Sequence, residues 1–357
     1  MARIIFVIVL GLGCLTAAGA SPARSEPLTP DAAARFLAGM PPVSPAPLAT
    51  PSSLPAWQRH AQEMDRAWSR FDQQVMTRVR VWARATLPPP SSVVFYMFSG
   101  PDYLHAEAFF PAAETYVLSG LEPVGARPES LAVGAAGLTA IRTALGNFFR
   151  YGYFITREMG TQFRAGGLTG TLPVLYVFLA RAGKKIHAVD YVRLTGAKQV
   201  NVVAGARAAQ GVRIRFSGAD GRLRTLYYFR TDLSDAGVGK SGFLDFCARL
   251  GRGDSLVKSA SYLMHTGGFS RVRHFLLEHS TVIVQDDSGI PLRHFPPEQW
   301  RLRPFGQYLG PTEEFKRFYQ PGLAALFRRA GARPVNFGIG YRWHPRRTNI
   351  LVAERKD

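Results

Sequence analysis

Acidic residues are scarce in this 357-residue chain, 25 Asp and Glu against 44 Lys and Arg, yet they recur in one kind of place. Four apolar stretches each run into a polar turn that carries a carboxylate. SVVFYMF leads into Ser99-Gly100-Pro101-Asp102, and TYVL into Ser119-Gly120-Leu121-Glu122. TLYYF leads into Arg230-Thr231-Asp232-Leu233-Ser234-Asp235, and TVIV into Gln285-Asp286-Asp287-Ser288-Gly289. If these stretches are parallel strands, their carboxyl ends share one edge of a sheet, where ligands settle in folds of this class. Carboxylates converging there can hold a divalent cation. They can also separate their pKa values into a general acid and a general base, as hydrolysis requires. The candidate catalytic residues are therefore Asp286, Asp287, Asp102, Glu122 and Asp232, with Asp235 an alternative to Asp232. Lys258, His265 and Arg293 are the nearest supporting countercharges. Each acid also has a local explanation. Asp102 can cap a helix starting at Tyr103, Glu122 and Asp287 sit in turn-forming sequences, and Asp235 can close a loop. Geometry separates the two readings.

Named motifs add little. Ser255-Leu256-Val257-Lys258 matches the S-x-x-K of penicillin-binding proteins and serine β-lactamases, in which serine and lysine lie one helical turn apart. Ser234-Asp235-Ala236 and Lys240-Ser241-Gly242 echo the companion motifs, but both precede S-x-x-K, where that family has them after it. Asp286-Asp287 resembles the two-aspartate strand end of polysaccharide deacetylases. Those enzymes complete a metal site with H-[ST]-x-x-H, and His279-Ser280-Thr281 has no second histidine at that spacing. G-x-G-x-x-G after a strand, G-x-S-x-G, H-E-x-x-H and C-x-x-C are all absent. No nucleotide cofactor is expected.

The elements that must position these residues read as α/β, a mixed β-sheet covered by helices. Trp57, Ala61, Met64, Trp68, Phe71, Val75, Val79 and Trp82 recur every three or four positions, predicting one long amphipathic helix over 56–87. From Ser91 onward strands and helices alternate, with no internal linker through residue 357. β-Hairpins are expected near 212–229 and 335–353, the second joining VNFGIGYRW to NILVAER. Helix starts are expected at Ser241, Asp254 and Ser270. One globular domain, 91–357, follows from this continuity.

The first 20 residues have the layout of a secretory signal: Arg3, an apolar run from Ile4, and Ala18-Gly19-Ala20 as a small-residue cleavage site. Residues 21–55 are a Pro/Ala/Ser-rich tether. Cleavage after Ala20 removes Cys14 and leaves Cys247 as a lone, apolar-flanked thiol. Export places the protein in the periplasm or outside the cell, with no transmembrane span after signal cleavage. Nucleic acid is not expected as a partner, and the net charge of +19 suits an anionic envelope component. The function expected is a carboxylate-dependent hydrolase acting on an envelope glycan or ester. The alternative is a non-enzymatic envelope binding or scaffold protein that uses the basic surface or the aromatic N-terminal helix.

Overall fold

The computed structural model of the protein describes residues 28–41, 52–130, 133–154, 161, 163–195 and 199–356. The expected signal segment and about half of the 21–55 tether lie outside the described residues.

Runs such as Val93–Tyr96 and Thr115–Gly120 are buried on both faces, the pattern of a strand inside a sheet covered on two sides. Ten strands form one sheet: β1 Val93–Tyr96, β2 Thr115–Gly120, β3 Lys185–Thr195, β4 Gln199–Val202, β5 Gly211–Ser217, β6 Leu223–Arg230, β7 Gly253–Val257, β8 Ser280–Gln285, β9 Trp300–Gly306 and β10 Asn349–Arg355. Their spatial order is β4-β3-β5-β6-β2-β1-β7-β8-β10-β9. The central five, β6-β2-β1-β7-β8, are all mutually parallel. Antiparallel strands extend both flanks.

Successive side chains alternate between two cores, as a period of two demands. Val94 and Tyr96 of β1 join a cluster under Pro30–Leu37, Pro55–Phe71, Ala135–Tyr151 and Leu172–Arg181. Val93 and Phe95 face the opposite cluster, under Asp235–Ser241, Phe243–Arg249 and Ser270–His279. Helices therefore cover both faces of the sheet.

The chain leaves β1 for β2 and then β6 on one side, and returns to place β7 and β8 on the other. The strand order therefore reverses at β1 and β7. In open parallel sheets the crevice beyond the carboxyl ends at such a reversal is where ligands bind.

The 212–229 hairpin is present as β5 and β6 around the turn at Gly221. The 335–353 hairpin is not. Asn349–Arg355 pairs instead with Trp300–Gly306 and with β8, while residues 335–343 form no strand. Two glycines in VNFGIGYRW carry the reason. The backbone at Gly338 comes so close to Trp343 that a Cβ would lie 1.5 Å from its carbonyl oxygen, and Gly340 has φ +69°. Asp254 begins no helix; it lies in β7, paired with Val94 and Val282 of its neighbours. Ser241 ends one helix rather than starting the next, and the following Gly242 is left-handed.

The periodic 56–87 segment consists of Pro55–Phe71, a π-helical turn Asp72–Met76 and Thr77–Thr86. Its aromatic stripe faces inward. Trp57 stacks on Phe36 and donates to its carbonyl, and Trp82 meets Phe109, Phe305 and Phe337 edge-on. Trp57 and Trp82 of the stripe are thus packed into this chain's own core. No helix among the described residues is long and apolar enough to cross a membrane.

Candidate active site

Because β1, β2, β6, β7 and β8 run parallel, their exits share one edge of the sheet. Asp102, Glu122, Asp232, Lys258 and Asp286 all lie on that edge. Their environments differ sharply.

Asp102 and Lys258 come together. The exit of β1 turns through Ser99-Gly100-Pro101, and Asp102 caps Tyr103–Phe109 by accepting from the His105 backbone N–H. Lys258 leaves β7 two strands away from β2, and its Nζ lies 2.9 Å from Asp102 Oδ2. Both residues are only 1% exposed. Tyr96 donates to the same oxygen at 3.0 Å, and His105 Nδ1 lies 2.9 Å from it. Burial alone would raise the Asp102 pKa, but His105 first and then the Lys258 ammonium, with the hydrogen bonds from both, hold it well below the usual carboxylate range. Burial lowers the pKa of His105, so the imidazole is neutral near pH 7 and Lys258 is the cation of the pair. A neutral ring donating from Nδ1 leaves Nε2 bare, and that buried atom has no partner among the described residues.

Lys258 also donates to the Gly152 carbonyl at 2.5 Å. An ammonium has three N–H groups, so Asp102 and Gly152 leave one for a ligand. Asp102, Lys258 and Tyr96 line a cavity of about 370 Å³ together with Ser99, Ser259 and Tyr341.

The turn after Lys258 is strained. Ser259, Ser261 and Tyr262 have φ of 50°, 50° and 54°, a left-handed conformation that costs a non-glycine residue roughly 1–2 kcal/mol. Side chains hold it there. The Ser259, Ala260 and Ser261 N–H groups donate to Asp286 Oδ2, Ser288 Oγ and the Tyr341 hydroxyl, and that hydroxyl donates in turn to the Ser259 carbonyl. Strain held by surrounding structure concentrates at functional sites.

Asp286 is the latch of that turn. Its other oxygen accepts from the Ser288 N–H and hydroxyl. Burial, then the neighbouring Asp287 charge, pushes its pKa up to about 6. Asp287 points away, accepting from the Tyr262 hydroxyl at 2.7 Å and Asn349 at 3.0 Å, and burial raises its pKa too. The pair proposed from sequence is therefore split between two environments, and neither carboxylate lines the cavity.

Glu122 is not among the residues that line the cavity, but its carboxylate lies beside one of them. Its carboxylate folds back over Gly120, where a Cβ would lie 2.5 Å from Oε2, and it lies 3.9 Å from the Cβ position of cavity-lining Gly100. Tyr228 donates to the Glu122 carbonyl at 2.9 Å and lies 3.3 Å from Oε2.

The remaining candidates lie elsewhere. Asp232 accepts from the Ser234 N–H and hydroxyl, and Asp235 accepts from Ser270 and Arg271 at the start of Ser270–His279. These are loop-closing and helix-capping roles. His265 packs edge-on against Tyr262 and Phe318, and burial followed by the Arg293 charge lowers its pKa to about 4. Arg293 donates to the His265 carbonyl. Both support the Asp287 side, not the cavity. Ser255 is in β7, its hydroxyl 2.7 Å from that of Ser280, so S-x-x-K is not a helical pair here. Cys247 is fully buried, and burial raises its thiol pKa well above the ordinary value. Among the described residues no three His, Cys, Asp or Glu side chains are grouped to hold a metal ion.

Sequence reasoning passed over Tyr96, His105, Tyr341 and the strained turn. His105 sits three residues after the Asp102 cap, a spacing that puts it on the capped turn; the other three carry no comparable signal. No protein-family model, curated protein or solved structure matches this chain.

Proposed function

We propose that the protein is a hydrolase of ester bonds, acting after export on a component of the cell envelope. The observation that carries this reading is the buried Asp102–Lys258 pair at the strand-order reversal, with one ammonium N–H left over at the cavity.

The chemistry assigned to these groups is acyl transfer to water. Glu122 takes a proton from a water molecule, and the hydroxide adds to the ester carbonyl. Negative charge then develops on the carbonyl oxygen beside the Lys258 ammonium, the preorganised electrostatic stabilisation that contributes most to such reactions. Collapse expels the alcohol, which takes the proton back from Glu122. Asp102 holds Lys258 in place, and the Tyr96 hydroxyl holds Asp102. A glycosidic bond fits less well, because it needs a protonated carboxylic acid facing the leaving oxygen, and Asp102 is held ionised.

The test is hydrolysis of a panel of chromogenic aryl esters by the wild type and by Lys258→Met in an Asp102→Asn background, which leaves no buried carboxylate unpaired. The wild type is expected to turn over at least one ester. The double variant is expected to lose about 10²–10³ in kcat, the scale for removing an oxyanion donor. A folded wild type inert toward every ester, or an equally active double variant, sinks the reading. Inertness with retained binding of envelope material instead supports a non-enzymatic envelope binding protein.

A further inference from the structure

A second cavity, of about 650 Å³, opens between the N-terminal helices and the end of Ala135–Tyr151. It is independent of the ester-hydrolysis reading, although adjacent residues border the two spaces: Gly152 this one and Tyr153 the other. Arg70, Arg78 and Arg150 line it, with no Asp or Glu among the described lining residues. Phe71, Phe149 and Trp343 supply an aromatic surface beside them.

The three arginines are not neutralised from their own helices. The acids of the N-terminal helices are committed elsewhere: Glu63 to Arg142 at 2.7 Å, Asp65 to Arg181 at 3.0 Å and Asp72 to Arg80 at 2.9 Å. Arg78 spends one N–H on the Asn336 carbonyl, and Arg150 lies over the Tyr151 ring. Among the described residues most of their donor capacity remains open. Gln74 and Val75 of the cavity wall belong to the π-helical turn Asp72–Met76, a rare geometry that recurs at functional sites.

We infer that this cleft binds an organic phosphate, a phosphoryl group carried on an apolar or aromatic body. Guanidinium groups match phosphate oxygens through paired N–H donors. Three of them on one cavity suit an anion of more than a single charge, which a phosphomonoester supplies. The aromatic wall takes the apolar body. Such a group could be a free metabolite or a lipid headgroup.

Isothermal titration with phenyl phosphate, inorganic phosphate and phenol tests this on the intact protein. Phenyl phosphate is expected to bind saturably, and more tightly than either fragment. Arg70→Gln with Arg150→Gln is expected to weaken it by at least about tenfold, one or more charge-assisted contacts being worth that much. Gly146→Trp provides a second arm. A Cβ at Gly146 meets nothing within 4 Å, so the indole enters the cleft without moving backbone and is expected to abolish binding at unchanged melting temperature. Binding to phosphatidic acid vesicles, whose headgroup is a phosphomonoester, that both variants lose identifies a lipid source; binding of phenyl phosphate without vesicles identifies a soluble one. No saturable binding of phenyl phosphate, or equal binding by all three proteins, overturns the inference.

Discussion

At the scale of single residues, burial decides which acids do what. Asp102 and Asp286 lie at exits on either side of β7, are almost equally buried, and have pKa values pushed in opposite directions. Asp102 has a cation against it; Asp286 has another carboxylate. This difference was not legible in the sequence. QDDSG draws attention to the aspartate pair, whereas SGPD looks like an ordinary helix cap, and Asp102 is indeed a cap as well as an ion-pair partner. The raised pKa of Asp286 has a consequence for stability. A carboxyl that goes from an ordinary 3.8 to about 6 on folding binds its proton more tightly in the native state. Its favourable contribution is therefore fully present below the unfolded value and is lost as pH rises through about 6. Asp286→Asn removes that dependence. Urea unfolding at several pH values is expected to show the variant gaining on the wild type between pH 4 and about 6, with a constant gap above. A gap that does not change with pH contradicts the assignment.

At the scale of elements, the Ser259–Tyr262 turn is the part that sequence reading missed entirely. Left-handed backbone is normally announced by glycine or asparagine, and SASY contains neither. The turn exists because Asp286, Ser288 and Tyr341 capture its N–H groups from outside. Strands and helices were legible wherever apolar periodicity was local, as in the β5–β6 hairpin. The β10 partner was not, because VNFGIGYRW alternates like a strand while its glycines serve close backbone packing. Ser259→Gly isolates the strain, since the Ser259 hydroxyl has no hydrogen-bond partner among the described residues. It is expected to stabilise the fold by up to about 1 kcal/mol, relief of left-handed strain less the added backbone entropy of glycine. Ser261→Gly also gives up the 2.9 Å contact with the Tyr341 hydroxyl and is expected to gain less. Chemical denaturation of both variants checks this. A Ser259→Gly protein that loses more stability than Ser261→Gly contradicts a turn strained at that residue.

At the scale of the whole molecule, the four acidic exits share one edge because five central strands are parallel. Sequence could pose that arrangement only as a condition, since strand direction depends on pairings between segments far apart in the chain. What the sheet then selects is narrower than the sequence pattern. The reversal of strand order around β1 gathers Asp102 and Lys258 at the cavity, with Glu122 next to its lining residue Gly100, while β6 sends Asp232 and Asp235 to loop closure and helix capping. The central claim is that the exits of β2 and β7 serve one reaction. It is tested most directly by kcat/KM for aryl-ester hydrolysis by Glu122→Gln beside the wild type, with melting temperature measured on the same samples. The account predicts a loss of about 10²–10⁴, the range for removing a general base, at a melting temperature close to that of the wild type. A Glu122→Gln protein that hydrolyses the ester at the wild-type rate would contradict it.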